Sequence, residues 1–454
     1  MKIRSVLTAL TATAMAVSVS IVSVPVAHAD LTTPGSFNTV HPLRVLDTRY
    51  GIGTTKAVLA AHGTLTFQPT PGLTTPVGAV ALTVTAVNPK TLGYLTVYGA
   101  GRPLPLASNL NFQIGENVPN MVITPVGTGG RVSIYNGSLG TIDVLADISG
   151  FYTGGTNTAV SGSLVPMAPR RFLDTRIGLG APKRPAGPNS LTVLKVAGVN
   201  GVPVDASSVV MNVTAEGATA RGYVTAYAGS PKPATSTVNY LPHKTRANLA
   251  LVPIGPDGTI SLFNGTLGTT ALIADISGYF VGGSPATDGT FVPTTPYRAF
   301  DSREAGRRPA GALTISRIGL FTSDPVFSAF KAVVVNVTAA EPQTYGFLTT
   351  WDGTTQLPSV SSNNFQANQD SAGAVIVPVN PDGTISIYNG SYGNVNYVVD
   401  ITGFVFNLPA ATPFAGTTAK TSVSAAARLA DALAKVRQLS RTTSSVAVSV
   451  TTTR

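Results

Sequence analysis

The stretch Pro42-Leu43-Arg44-Val45-Leu46-Asp47-Thr48-Arg49 decides how this chain is organised, because the chain carries it three times. Closely similar stretches stand at Pro169–Arg176 and Pro296–Arg303. The aspartate of each stretch follows the previous one at an interval of 127 residues. A fixed period of this length indicates tandem repeats.

Each repeat continues with segments whose composition is typical of β-strands. In repeat 1, Ala81–Ala86 is apolar, and Gly93–Tyr98 alternates aromatic or aliphatic residues with threonine. β-Branched and aromatic residues at a period of two favour strands. The dipeptide Asn136-Gly137 predicts a tight reversal, since both residues tolerate a positive φ. The same segments recur in repeats 2 and 3, so all three copies are expected to share one fold.

The fold class follows from these segments and from the composition. Hydrophobic residues make up 43% of the chain and charged residues 11%, and there is no cysteine, so each repeat must be stabilised by an apolar core and not by disulfides. The period is far longer than the ~40–50 residues of a propeller blade. We therefore predict an all-β chain of three tandem β-sandwich or jelly-roll-like domains, at residues 37–152, 164–280 and 291–406, linked by short glycine-rich segments. A single closed assembly of the three repeats is the alternative.

The two ends of the chain differ from the repeats. Residues 1–29 predict a secretory signal peptide, with Lys2 and Arg4 before an apolar segment and Ala27-His28-Ala29 as the cleavage motif. We expect no transmembrane segment in the mature chain. Residues 408–454 form a basic tail that accounts for much of the net charge of +10. Within it, residues 423–439 predict an amphipathic helix, which would either bind a protein partner or be a frayed extension.

The combination of motifs resembles a repeat of secreted actinobacterial proteins that often accompanies wall-associated or surface enzymes. The resemblance rests on Arg-x-Leu-Asp-Thr-Arg, Asn-Val-Thr-Ala, Tyr-Asn-Gly and Ala-Asp-Ile-Ser-Gly-Tyr, and it covers nearly all of residues 37–406. It implies an accessory module at the cell surface and does not specify a ligand or an activity. Repeat 3 departs most from the pattern, because Asp301 is followed by serine and Gly373 stands where the other repeats have Asn120 and Asn248.

Arginine and aspartate of the repeated stretch form the first set of candidate binding residues. Alternation along a strand would place Asp47 and Arg49 on one face and Arg44 on the other. A guanidinium fork beside a carboxylate would bind a sugar or an anionic wall polymer, or the same groups would form a buried structural pair. The candidates are Arg44, Asp47, Arg49, Arg171, Asp174, Arg176, Arg298, Asp301 and Arg303.

A second set combines aromatic rings with amides. Asn111, Asn239 and Asn364 follow the strand of each repeat that carries two aromatic residues. Rings and amides together would form a platform for carbohydrate, although rings on a β-branched strand are also typical of a core. The aromatic residues are Tyr94, Tyr98, Tyr223, Tyr227, Phe347 and Trp351.

Catalytic and metal sites are not indicated. Asp147, Asp275 and Asp400 would serve a glycosidase only if each met the aspartate of the repeated stretch at ~5–10 Å. The four histidines form no metal-binding spacing, and there is no serine-hydrolase elbow. We predict neither catalytic residues, metal nor cofactor.

The sequence thus predicts a secreted, non-catalytic protein, extracellular or associated with the cell wall. Its partner would be a wall glycan or an anionic envelope polymer, and not nucleic acid, because the excess positive charge belongs to the tail. The alternatives are a purely structural surface or fibre component and, less favoured, a glycan hydrolase.

Overall fold

The structure is a computed structural model that describes residues 35–154, 162–282, 289–320, 330–380, 382–406 and 451–453. The predicted signal peptide and the predicted helix 423–439 lie outside these residues. The described residues contain strands and one short 3-10 turn at Thr128–Gly130, with no α-helix. Among them there is also no helix with the length and apolarity that crossing a bilayer requires.

Each repeat contributes eight strands to the fold. In repeat 1 they are β1 (Phe37–Asp47), β2 (Thr64–Phe67), β3 (Val77–Val87), β4 (Gly93–Gly99), β5 (Leu110–Phe112), β6 (Val118–Pro125), β7 (Val132–Asn136) and β8 (Asp143–Thr153). In repeat 2 they are β9 (Leu164–Asp174), β10 (Ser190–Lys195), β11 (Ser208–Glu216), β12 (Gly222–Tyr227), β13 (Val238–Tyr240), β14 (Arg246–Pro253), β15 (Thr259–Asn264) and β16 (Ala271–Phe280). In repeat 3 they are β17 (Phe291–Asp301), β18 (Ile315–Gly319), β19 (Phe330–Ala340), β20 (Gly346–Trp351), β21 (Asn363–Phe365), β22 (Ser371–Pro378), β23 (Thr384–Asn389) and β24 (Asn396–Phe406).

The strands of one repeat interleave between two antiparallel sheets. In repeat 1 one sheet has the order β1-β8-β3-β6 and the other β2-β7-β4-β5, and repeats 2 and 3 keep these orders. In repeat 3 a short strand from the tail, β25 (Thr451–Thr453), adds to the free edge of β18. The three repeats therefore supply six sheets.

The predicted arrangement of three tandem β-sandwich domains is wrong, because the six sheets are arranged as a six-bladed β-propeller. One 127-residue period supplies two blades, which is why it is far longer than a single blade. The expectation that the repeats form separate bodies also fails. A shared apolar cluster includes residues of all three repeats, among them Ala81, Val210 and Val334 from the central strands β3, β11 and β19.

Backbone hydrogen bonds close the three repeats into a ring. The amide of Phe37 donates to the carbonyl of Gly162 (3.0 Å), that of Leu164 to Gly289 (2.9 Å), and that of Phe291 to Gly35 (2.9 Å). A side chain cannot be added at Gly162, because its Cβ would lie 2.0 Å from the carbonyl oxygen of Phe37. The first strand of each repeat is thereby bound to the segment that precedes another repeat.

Aromatic rings fill the interior next to this ring of hydrogen bonds. Phe37 of repeat 1 lies 4.4 Å from Phe280 of repeat 2, and Tyr152 of repeat 1 lies 4.5 Å from Phe291 of repeat 3, measured between ring centroids. All four residues are almost completely buried. Each repeat therefore depends on the other two for part of its core.

Candidate functional site

The repeated arginine–aspartate stretch forms a four-residue charge cluster in each repeat. In repeat 2, Arg171 donates from Nε and Nη2 to the two carboxylate oxygens of Asp275 (2.8 and 3.2 Å) and from Nη1 to Asp174 (3.2 Å). Arg176 donates from Nε and Nη2 to the two oxygens of Asp174 (2.9 and 2.7 Å), and its backbone amide adds a third bond of 3.0 Å. The order of the groups is carboxylate, guanidinium, carboxylate, guanidinium.

Repeats 1 and 3 contain the same cluster. We use the term arginine–aspartate clusters for the three sets Arg44/Asp47/Arg49/Asp147, Arg171/Asp174/Arg176/Asp275 and Arg298/Asp301/Arg303/Asp400. The aspartates are buried in every set, while the side chain of the last arginine is 35–39% exposed. The carboxylates therefore face arginine, and only one edge of each cluster faces solvent.

The expected placement of Arg44 on the opposite face from Asp47 is wrong. The pairing of β1 with β8 shifts register between Arg44, which lies opposite Asp147, and Leu46, which lies opposite Ala146. One extra residue in a strand forms a β-bulge, and a bulge re-aims the side chains beside it. Arg44 consequently contacts Asp47 and Asp147 together.

The two carboxylates of each cluster have opposite pKa shifts. Hydrogen bonds from Arg176 outweigh burial and lower the pKa of Asp174. Burial raises the pKa of Asp275 although Arg171 opposes the shift, and it raises the pKa of Asp400 to about 6 against the effect of Arg298. In repeat 2, Asp174 therefore stays ionised at a pH at which Asp275 begins to bind a proton.

The arginine–aspartate clusters lie where one repeat meets the next. The backbone of Ser236 in repeat 2 opposes the rise in the pKa of Asp147 in repeat 1, and the backbone of Ser108 in repeat 1 acts in the same way on Asp400 of repeat 3. At the third joint, the amide of Asn212 donates to the carbonyl of Ser361 (2.6 Å). The clusters of repeats 1 and 3 thus lie beside a neighbouring repeat, and in repeat 2 it is Asn212, directly opposite Asp275 on the adjacent strand, that makes the contact.

The carboxylate pairs considered for a glycosidase are these same aspartates. Arg44 lies between Asp47 and Asp147 and bonds to both. Each carboxylate is therefore already bound by a guanidinium. This guanidinium occupies the space that an attacking water or a leaving group would need. The described residues also contain no group of three or more His, Asp or Glu side chains able to hold a metal ion.

The three predicted asparagines occupy equivalent positions in the three repeats. Asn111 lies directly opposite Tyr94, Asn239 opposite Tyr223, and Asn364 opposite Phe347 on adjacent strands. The amide oxygen of each accepts a hydrogen bond from the serine three residues earlier, at 2.9–3.1 Å. No described residue accepts a hydrogen bond from their amide nitrogens, which leaves two donors per asparagine beside an aromatic ring.

Only half of the predicted aromatic platform is accessible. Tyr94 is 37% exposed, and Tyr223 and Phe347 are partly exposed, whereas Tyr98, Tyr227 and Trp351 at the other end of these strands are buried. Each accessible ring lies flat on the glycine of the Asn-Gly dipeptide. At Gly137 a Cβ would lie 2.2 Å from Cζ of Tyr94, and Gly265 and Gly390 have the same relation to Tyr223 and Phe347. The glycine is thus required by the ring and not by a positive φ.

A cavity of about 270 Å³ opens beside the ring of Tyr223, between repeats 1 and 2. Repeat 1 supplies the β5–β6 loop with Glu116, and repeat 2 supplies Arg221, Asn239 and Arg246. The volume is slightly below the ~300–1,000 Å³ typical of small-molecule sites. It is suited to one small ring-shaped ligand.

Glu116 connects all three repeats at the edge of this cavity. Its carboxylate accepts hydrogen bonds from Lys244 (2.5 Å) and Arg246 (2.6 Å) of repeat 2 and from Gln369 (2.9 Å) of repeat 3. Burial opposes its ionisation, but the bond from Lys244 and the charge of Arg246 prevail and lower the pKa of Glu116. The carboxylate is therefore ionised and fully partnered.

Glu116 and two of its partners, Lys244 and Gln369, are not marked by the motifs that the repeats share. The three repeats have different residue types at one equivalent position, two residues before β6, β14 and β22 begin. The residues there are Glu116, Lys244 and Gln369. A comparison of the positions at which the repeats differ would have identified them.

Comparison with known proteins adds no functional assignment. No protein-family model matches the chain, and no curated protein matches it either. The candidate site is therefore defined by its own geometry.

Proposed function

We propose that the protein is a secreted, non-catalytic component of the cell envelope that binds glycans. Its binding surface is the end of the propeller that carries the loops after β3, β5 and β7 and their equivalents, which we call the loop face. The proposal rests on one observation, that each repeat places a partly exposed aromatic ring beside an asparagine amide with free donors.

The chemistry of these pairs suits a sugar. An aromatic ring offers an apolar face to the C–H groups of a pyranose, and an amide donates to its hydroxyl groups. The ring is held flat against a glycine, so little conformational freedom would be lost on binding. Three such pairs on one rigid body favour binding of a polymer, because linked weak sites gain affinity by avidity.

The arginine–aspartate clusters fit a supporting role in this proposal. Their carboxylates are already bound by arginine and their position is at the joints between repeats. We therefore assign glycan contact to Asn111, Asn239 and Asn364, and assign to the clusters the rigidity on which avidity depends. The same rigidity favours the second candidate, a structural surface component without a glycan ligand.

A pull-down on purified peptidoglycan and wall glycans tests the proposal. The variant Asn111→Ala/Asn239→Ala/Asn364→Ala is expected to lose at least tenfold in apparent affinity, because each lost hydrogen bond contributes ~0.5–1.5 kcal/mol. The control Gln68→Ala/Lys232→Ala/Gln356→Ala alters exposed residues at the opposite end of the propeller and is expected to bind like the wild type.

Two results would contradict the proposal. Unchanged binding by the asparagine variant would remove these residues from the site. Absence of binding by the wild type to every glycan would favour the structural alternative.

A further inference from the structure

We propose that the cavity between repeats 1 and 2 binds an acidic sugar residue, a single sugar ring that carries a carboxylate or a phosphate. The inference rests on the glycan-binding function proposed above and specifies the ligand at one of its three positions. It is carried by the residues that line this cavity.

The neutral part of the ligand would contact Tyr223 and Asn239. The ring of Tyr223 borders the cavity and is fixed against Gly265, where a Cβ would lie 2.2 Å from Cζ of the ring. The amide oxygen of Asn239 is bound by Ser236 Oγ at 2.9 Å, so its nitrogen faces away from this bond with both donors free among the described residues. This pair provides the same ring-and-amide contact as in the other repeats.

The acid group would be bound by Arg221. The residue lies at the cavity wall and is exposed, and no described side chain pairs with its guanidinium. Its backbone carbonyl is bound by Thr266 Oγ1 (2.8 Å), which fixes the start of β12 beside it. A guanidinium fork matches the two oxygens of a carboxylate or of a phosphate with two parallel hydrogen bonds.

The other charges of the cavity do not oppose an anion. Glu116 is the one acid among the cavity residues, and Lys244, Arg246 and Gln369 already bond to its oxygens. The residues that line the cavity carry the negative charge of Glu116 and the positive charges of Arg221 and Arg246, so the net charge of the lining is positive.

This property belongs to one joint only. The residue before the first glycine of β4, β12 and β20 is Leu92 in repeat 1, Arg221 in repeat 2 and Tyr345 in repeat 3. Leu92 and Tyr345 are 66% and 75% exposed, so the position points into solvent in every repeat. The repeats share the ring-and-amide contact and differ in what stands next to it, and only repeat 2 presents a cation.

Calorimetric titration of the whole chain with methyl β-D-glucuronide, glucose 6-phosphate and methyl β-D-glucoside tests the inference. The wild type is expected to bind at least one of the two acidic sugars tenfold or more tightly than the glucoside, with a preference that falls as salt is added. Arg221→Leu should abolish the preference. Since repeat 1 has leucine at this position, the variant is expected to fold, which its thermal midpoint would verify. Arg184→Leu, at an exposed arginine of the same repeat outside the cavity, should keep the preference.

The outcomes separate this inference from the proposed function. Equal affinity for acidic and neutral sugars, or a preference that survives in Arg221→Leu, overturns the inference and leaves glycan binding intact. Failure of all three sugars to bind, together with failure of wall glycans in the pull-down, overturns both. Loss of the preference in Arg184→Leu as well would show that net charge acts, and not a site at Arg221.

Discussion

Replacing Arg171 by methionine tests the structural role of the arginine–aspartate clusters. The substitution keeps most of the apolar stem but removes the guanidinium, which donates two hydrogen bonds to Asp275 and one to Asp174. Asp174 retains the fork and the backbone amide of Arg176. Asp275, which is 3% exposed, loses the cation to which it is bonded. The substitution therefore removes the bonded counter-ion of one buried carboxylate, that of Asp275.

The expected loss of stability follows from leaving the buried carboxylate of Asp275 without its cation. Removing one partner of a buried ion pair costs ~3–5 kcal/mol, and the side chain of Arg171 is 23% exposed, so we expect the lower end, about 3 kcal/mol at pH 7. The difference in the free energy of unfolding between the wild type and the variant should shrink at acidic pH. Burial already raises the pKa of Asp275, and without Arg171 the native pKa rises further above the unfolded value of ~3.9. Below the native pKa the buried group is neutral, so the variant regains stability as the pH falls through this window.

Urea denaturation at pH 7 and at pH 4.5, followed by circular dichroism, measures both effects as a shift of the midpoint at constant slope. Arg184→Met is the matched control, because Arg184 is exposed and lies in the same repeat, and it should change the free energy of unfolding by less than ~0.5 kcal/mol. A deficit below 1 kcal/mol at pH 7, or one of equal size at both pH values, would refute the reasoning.

Two further predictions concern the contacts between repeats. Gly162→Ala should lower the thermal midpoint much more than Gly72→Ala: both glycines have a positive φ, but only at Gly162 would the new Cβ meet the carbonyl of Phe37, whereas Gly72 has open space around it. Equal shifts in the two variants would show that closure of the ring does not limit stability. Glu116→Gln should destabilise the protein by ~1–3 kcal/mol at pH 7, because Arg246 and its neighbours lose their counter-charge. Because the pKa of Glu116 is lowered, this contribution is fully present above the unfolded pKa of ~4.3 and is lost as the pH falls through the lower folded-state pKa. The difference from the wild type in chemical denaturation should therefore shrink steadily as the pH is lowered below ~4.3. A difference that stays constant would contradict the ion-pair role.

Much of the candidate site could be located from the repeated sequence. The arginines and aspartates of each stretch do contact one another, and each asparagine does lie opposite an aromatic residue. What could not be predicted is the bulge next to Arg44, which places that side chain on the same carboxylate as Arg49. Alternation along a regular strand is a local rule, and the bulge results from pairing with β8, more than 100 residues away along most of its length. Burial of Tyr98 but not of Tyr94 likewise depends on what covers each end of β4.

The amino-acid sequence by itself determined the β-strands and their threefold recurrence, because strand preference and turn formation depend on residues close together in the chain. Only the tertiary structure decided that two sheets arise from each repeat, that the first strand of one repeat is bound to the segment before another, and that Glu116 meets side chains of both other repeats. The physical reason is that period-two alternation in the sequence determines which face of a strand is apolar. It does not determine which strand, or which repeat, packs against that face. That choice is made by packing and hydrogen bonds between residues more than 100 positions apart, such as Phe37 and Gly162.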